Sequence, residues 1–502
     1  MKPISYWIHK RAFLTPKRVA LIGEESTYTY EALSEEVHRA ASLLQHRFQL
    51  QKGDRVAILS QNRVEYMIFY FAIAQLGLVA VPLNVRLTAS ELQFQINDSG
   101  AKMILYESRT AALYEEIKNK VIFENAYCFG EKIDDYDLPC KEVNVNTADD
   151  PFIICYTSGT TGRPKGAVLT QDNMFWNALN NQYAIDITTN DKVIVLLPLF
   201  HIGGIGLFAF PTLLAGGTVV VPSKFEPGYA IQVIEEYEIT IVMGVPTIHD
   251  AIRKHPRFET ADFSSVRWFY SGGAPCPREL IEAYLDRGLP FGQGMGMTET
   301  SPTIFMLVKE DYQRKVGSIG KPVMFCDIAI VDEEGIPVPN GEVGELLIKG
   351  PHVMKEYWGL PDKTNEAIRD GWFYSGDLMR QDEEGFIYVA GRKKDMIISG
   401  GENIYPLEIE QVLKELSAIN EAAVIGLPHE KWGEVPIAFI SFNSNCDLSK
   451  EEIRDYCASK LAKYKVPKEF TILEDLPKNA TGKIDKKALY MLLNAEVGKN
   501  EI

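Results

Sequence analysis

At 502 residues the chain is too long for one hydrophobic core and corresponds to roughly three or four domain-sized units. Its composition is that of an ordinary globular protein, 46% apolar and 24% charged, and a formal net charge of −16 argues against nucleic acid as the main partner. Seven cysteines, an odd number with no Cys-x-x-Cys pair, speak against a disulfide framework or a zinc site and suit a reducing cytoplasm.

The start, Met-Lys-Pro-Ile-Ser-Tyr-Trp, lacks the apolar core of a signal peptide. Hydrophobic periodicity predicts a helix over 30–46, a turn and strand over 53–60, a helix over 62–76 and a strand over 79–83. A helix over 89–98 and a strand over 102–106 continue the alternation, which points to a largely parallel sheet covered by helices. A second round of the same kind begins near residue 192. Its strands are 193–197, 218–221, 239–242 and 266–271, and its helices lie near 205–214 and over 229–237 and 247–254, so two similar α/β halves are expected. The apolar stretches 64–83 and 201–222 are interrupted by Glu65, Gln75 and several glycines, which argues against membrane spans. Peripheral contact with a membrane stays open.

After about Gly320 the texture changes to short strands, 326–331, 344–350 and 385–389, joined by Gly- and Asp-rich turns. A small module follows from Met396, with helices 406–416 and 450–460 and strands 422–426 and 435–442. The basic run Gly391-Arg-Lys-Lys-Asp395 lies between the two textures and is the candidate linker. The fold expected is α/β. A large N-terminal domain (1–391) holds two α/β subdomains and a β-rich one, a hinge covers 392–396, and a small mobile α+β domain covers 397–502.

The segment most charged with chemistry is Tyr156-Thr-Ser-Gly-Thr-Thr-Gly-Arg-Pro-Lys165-Gly166, directly after the apolar run 152–155. A strand feeding a loop of hydroxyls, bare N–H groups and a lysine suits a polyphosphate, although the loop is not of the Walker A type. With so acidic a chain, phosphate must be held by local cations and dipoles against the global field. Further along stand Ser271-Gly-Gly-Ala-Pro275, Gly292-Gln-Gly-Met-Gly-Met-Thr-Glu-Thr300, Trp372-Phe-Tyr-Ser-Gly-Asp377 and Pro477-Lys-Asn-Ala-Thr-Gly-Lys483. Taken singly, the first of these reads equally as a tight strand-to-helix turn and the third as a turn.

In their order from Tyr28 to Lys483, these motifs resemble those of the AMP-forming acyl-CoA synthetases of the adenylate-forming superfamily. The resemblance implies a two-step ligase using ATP, Mg²⁺ and coenzyme A on a small-molecule carboxylic acid. It implies that Thr157, Ser158, Gly159, Thr160, Thr161, Gly162 and Lys165 wrap the β- and γ-phosphates. Gly272, Gly273, Ala274 and Pro275 would back the adenine, with Met295 covering a ring face where the family commonly has an aromatic. Thr298 would bond the α-phosphate, and Glu299 with Thr157 would hold the metal, since Mg²⁺ takes few protein oxygens. Asp377 would accept the ribose hydroxyls and Arg392 bind ribose or phosphate. Lys483 would bridge carboxylate and α-phosphate during adenylation. Lys394 would be the hinge about which the C-terminal domain turns, bringing Gly400 and Gly401 to the pantetheine channel. His201 would stand near the carboxylate, although a structural histidine reads as well there. Where amino-acid-activating relatives usually carry Asp, this chain has His201.

No cation marks the acid pocket around 200–210, 243–247 or 272–277, which leans toward an apolar tail and a fatty acid. Aryl acids or o-succinylbenzoate are the alternative. A luciferase-like oxygenase, a non-catalytic nucleotide-binding protein and a carrier-loading domain rank lower.

Overall fold

The computed structural model describes residues 2–121, 123–131, 138–141, 143–157, 163–444, 446–479 and 482–497. The chain forms two compact units, Met1–Ile328 with Ile348–Phe373, and Ala329–Leu347 with Tyr374–Ile502.

The first unit is built on two sheets, one for each expected α/β half. The seven-stranded sheet runs Glu356–Tyr357, β8 (Lys165–Thr170), β7 (Pro151–Thr157), β4 (Val79–Pro82), β3 (Arg55–Leu59), β5 (Met103–Tyr106) and β6 (Asn125–Cys128). The nine-stranded sheet runs β15 (Lys321–Pro322), β14 (Thr303–Met306), β13 (Phe291–Gly296), β12 (Trp268–Ser271), β11 (Ile241–Gly244), β9 (Lys192–Val195), β10 (Thr218–Val220), β1 (Val19–Ile22) and β2 (Thr27–Thr29). Strands β9 to β13 pair in parallel, and every residue of β11 and β12 is buried, as expected of strands covered on both faces. Their carboxyl ends lie side by side, with Gly244 opposite Ser271 and Ser271 opposite Gln293, where ligands bind in open α/β sheets.

Two details differ from the sequence expectation. Lys165 and Gly166, read as the end of a loop, open β8, which pairs antiparallel with β7. The helix expected near 205–214 is two helices, Ile202–Gly206 and Ala209–Ala215. The glycines of the first permit close packing: a Cβ at Gly204 would stand 2.2 Å from the Pro198 carbonyl oxygen, and one at Gly206 2.7 Å from Pro302 Cδ. Only hydrogen fits in either place.

The β-rich stretch is present as strands Asp327–Val331, Val343–Lys349, Trp372–Gln381 and Ile387–Arg392. The second unit continues through a 3₁₀ turn, Lys393–Asp395, and the hairpin Ile397–Ser399/Glu402–Ile404 into the long antiparallel pair Ile419–His429/Gly433–Phe442. Helices Pro406–Lys414 and Lys450–Lys460 cover one face of that sheet through Ile409, Leu413, Ile453 and Cys457, and Leu476, Leu489 and Leu493 cover the other.

Candidate active site

Strands β7 and β8 form a hairpin whose last ladder pair is Thr157 with Lys165, and the Thr157 hydroxyl donates to the Lys165 carbonyl at 3.4 Å. Ser158, Gly159, Thr160, Thr161 and Gly162 lie outside the described residues. On the far side of β8, Tyr357 pairs with Ala167. The Lys165 ammonium lies 4.1 Å from the Tyr357 ring centroid, and the Tyr357 hydroxyl donates to Glu299 Oε1 at 2.9 Å. Residues 8, 58 and 192 positions apart thus converge: Thr157, Lys165, Glu299 and Tyr357. The base of the hairpin is fastened from the helix Ala89–Ser99. The Tyr156 hydroxyl donates to Asp98 Oδ2 at 2.6 Å, and the Trp358 indole N–H donates to the Asp98 carbonyl at 3.1 Å.

The second wall comes from the ends of β11 to β13. Gly272 leaves bare backbone, since a Cβ there would meet Met243 Cε at 3.1 Å and the Gly294 oxygen at 3.5 Å. Gly273 turns at φ +83°, and Gly273, Ala274 and Pro275 are exposed. Tyr270, two residues before Gly272, pins the strands together. Its hydroxyl donates to the Gln293 carbonyl at 2.9 Å and accepts the Leu307 N–H at 3.0 Å. Its carbonyl lies 2.9 Å from His249 Nε2, so that nitrogen carries the proton. Burial pushes the His249 imidazole down to about 4, which keeps it neutral. Met295 is half-buried on β13 and Thr298 is buried at the start of the 3₁₀ turn Thr298–Thr300.

Behind this wall is a small apolar cavity of about 10 Å³ between β9, the two short helices and β11, lined by Val193, Val195, Leu197, Gly204, Phe208 and Met243 among others. No charged side chain lines it. His201 caps the helix Ile202–Gly206, its Nδ1 accepting the Gly203 N–H at 3.3 Å, and is itself exposed.

In the second unit Asp377 sits in a strand, not a turn, and pairs in register with Arg392. Arg392 Nε lies 2.5 Å from Asp377 Oδ1, so the two residues expected at the ribose bond each other. The Lys483 loop is closed by Asn479, which accepts the Lys483 N–H through Oδ1 at 3.1 Å and donates its own N–H to the Lys483 carbonyl at 2.8 Å. Desolvation, and next the Arg392 charge, lower the pKa of the Lys483 ammonium, opposed by Asp377. Lys394 lies in the turn Lys393–Asp395, and Gly400 and Gly401 form a hairpin apex with Gly400 against the Trp432 ring.

The sequence pattern of the AMP-binding enzyme family matches residues 8–358, and that of the AMP-binding enzyme C-terminal domain matches 408–483. The chain belongs to the AMP-binding enzyme family. This AMP-binding enzyme is 41% identical over 482 residues to a feruloyl-CoA synthase of Amycolatopsis sp., covering 96% of this chain and 97% of that one. It is 37% identical over 511 residues to a long-chain-fatty-acid–CoA ligase of Mycobacterium tuberculosis, covering 99% and 100%. Its fold matches the o-succinylbenzoate CoA synthetase of Bacillus subtilis, solved with an acyl-adenylate intermediate, at a TM-score of 0.86 and 36% identity, covering 96% and 97%.

Several residues that shape the site of this AMP-binding enzyme carry no sequence signal of their own. Tyr357 and Asp98 are two. A third group is the buried asparagines of the helix Gln171–Ala184. Asn177 donates to the Gly206 carbonyl at 2.6 Å and accepts the Thr303 N–H at 3.0 Å, and Asn181 accepts the Thr303 hydroxyl at 2.9 Å. They tie the helix beside the apolar cavity to the segment that follows Glu299.

Proposed function

We propose that this AMP-binding enzyme is an acid–CoA ligase for a compact apolar carboxylic acid. The acid carboxylate attacks the α-phosphorus of ATP, giving acyl-adenylate and pyrophosphate. The CoA thiol then adds to the acyl carbon, and the C–O bond breaks to release AMP, with the thiol proton passing to solvent. The observation that carries the reading is the uncharged cavity whose Met243 wall abuts Gly272 of the nucleotide segment. An acid tail lying there would direct its carboxylate toward the nucleotide.

The residue roles are those the family resemblance implies, and each suits the chemistry of its side chain. Lys165 and the glycine- and hydroxyl-rich residues 158–162 hold the terminal phosphates. The oxygen donors Glu299 and Thr157 suit Mg²⁺, which binds through one or two carboxylates plus phosphate oxygens. Bound there, Mg²⁺ would offset charge on the phosphates. Thr298 orients the α-phosphate, Asp377 and Arg392 engage the ribose, and Lys483 offsets the repulsion between carboxylate and phosphate. The hinge role of Lys394 within 392–396, the lid role of 397–502, and the contact of Gly400 and Gly401 with pantetheine belong to the same proposal. Support comes from the relatives above and from the Bacillus subtilis enzyme, also solved with ATP and magnesium ion. The free thiols fit a cytoplasmic setting.

The relatives bear on the acid. The feruloyl-CoA synthase relative favours a tail of a single ring. A long-chain fatty acid is the second reading, favoured by the apolar lining and the mycobacterial relative. Pyrophosphate release across a panel of cinnamic, benzoic and straight-chain acids decides between them. Aryl and short acids are expected to lead, and a steady rise in rate with chain length would overturn the compact-tail reading. Absence of CoA-dependent AMP release with every acid would overturn the ligase itself.

A further inference from the structure

The helix Ser5–Leu14 is anchored on one side and bare on the other. Trp7 and Ile8 are buried, the Trp7 ring meets Phe175 and Phe210, and Arg11 donates to the Leu214 carbonyl at 2.7 and 3.0 Å. The helix is therefore held firmly. Yet Tyr6, Phe13 and Leu14 are 44%, 77% and 55% exposed. With 3.6 residues per turn, positions 6, 10, 13 and 14 share one face. Lys10 lies on it, its ammonium 4.8 Å from the Phe13 ring centroid, and exposed Lys2 and Lys17 flank it.

Charge on this face runs against the acidity of the chain as a whole. Residues 2–23 carry Lys2, Lys10, Arg11, Lys17 and Arg18 and no acid, in a chain of net charge −16. Arg11 and Arg18 are spent on backbone carbonyls. The neighbouring helix Tyr30–Ser42 brings Glu31, near Pro16, and Glu35 and Glu36, which pair with Arg39. A face of aromatic and aliphatic side chains edged by lysines suits the headgroup boundary of a bilayer: the rings enter, and the ammonium groups reach up to phosphate.

We propose that the exposed face of Ser5–Leu14 docks on an anionic lipid surface. No described helix is long and apolar enough to cross a membrane, so the contact is peripheral. The placement has a use. Trp7 packs on Phe210, and the helix Ala209–Ala215 that carries Phe210 also lines the apolar cavity through Ala209. An apolar acid partitioned into lipid would be one helix away from its cavity. The docking itself stands on exposure and charge, independently of which acid is used.

The test is co-sedimentation of the full chain with phosphatidylcholine vesicles, with and without phosphatidylglycerol. Binding is expected only to the anionic vesicles and should weaken as salt rises. Lys10→Glu should weaken it by more than the roughly fivefold expected for one lost lysine, and Phe13→Ser with Leu14→Ser should abolish it, while both variants keep wild-type turnover of a soluble acid. No binding to anionic vesicles, or equal binding by wild type and variants, overturns the proposal. So does a concentration-dependent dimer in light scattering that the Phe13/Leu14 double variant abolishes while vesicles capture nothing.

Discussion

Tyr270→Phe isolates what a single hydroxyl contributes to the nucleotide wall. The hydroxyl is fully buried and bridges β12 to the Gln293 carbonyl and the Leu307 N–H. Leaving a buried polar group without any partner costs roughly 1–3 kcal/mol, and two such groups would suggest the upper end or beyond. The local geometry lowers that figure, because the Leu307 N–H also donates to the Gln293 carbonyl at 3.0 Å. Both groups therefore keep each other when the hydroxyl goes. The ring stays in its notch against Gly292 and Gly294, so no cavity opens. The expected loss is about 1–1.5 kcal/mol, the worth of an ordinary hydrogen bond, seen as a fall of about 1–2 °C in the melting transition of the larger unit. Tyr270→Ala removes the ring as well and should cost about 3–5 kcal/mol. Thermal melts of both variants provide the comparison, and pyrophosphate exchange at graded ATP gives the functional readout, where Tyr270→Phe should raise the KM for ATP more than it lowers kcat. A Tyr270→Phe transition as depressed as that of Tyr270→Ala would refute the sharing argument, and one identical to wild type would refute the pin.

Lys483→Ala should abolish adenylation while sparing thioester formation from supplied acyl-adenylate, measured in separate half-reaction assays. Its pKa is lowered, so the required ammonium is lost as pH rises, earlier than for an ordinary lysine; Arg392→Gln removes a repelling charge and should move that alkaline limb to higher pH, whatever its height. Glu299→Gln should raise the Mg²⁺ concentration needed for half-maximal turnover by about tenfold or more, the scale of one lost charged ligand, checked by metal titration. Lys394→Pro should leave pyrophosphate exchange near wild type and suppress CoA-dependent AMP release; equal loss of both would count against the hinge.

The alternation of helix and strand was legible because β3, β4, β11 and β12 are short apolar runs bounded by turn residues, which is what a sheet covered on both faces requires. The glycine- and hydroxyl-rich segments stand out in the sequence as the composition that close approach of backbone to a ligand requires, the role proposed for them. The helix Gln171–Ala184 was not foreseen. Its buried face carries Asn173, Asn177, Asn180 and Asn181, chosen to satisfy backbone groups of other segments, so it has no apolar period to read. Tyr357 was hidden for a related reason: its role depends on reaching Glu299, 58 positions away, and no local pattern encodes that reach. The pairing of Asp377 with Arg392 likewise follows from strand register, where sequence suggested a turn.

Met243 belongs to both grooves: it lines the apolar cavity, and its terminal methyl faces the missing side chain of Gly272. A thioether of this kind bends easily into irregular space. If the purine lies on Gly272 as proposed, a bulky tail that displaces Met243 presses on the floor beneath it, whereas a slim one leaves that floor alone. The two substrates would then feel each other through one flexible side chain. By thermodynamic reciprocity, whatever penalty a large tail imposes on nucleotide affinity, the bound nucleotide imposes on that tail, so discrimination among acids should sharpen once ATP is seated.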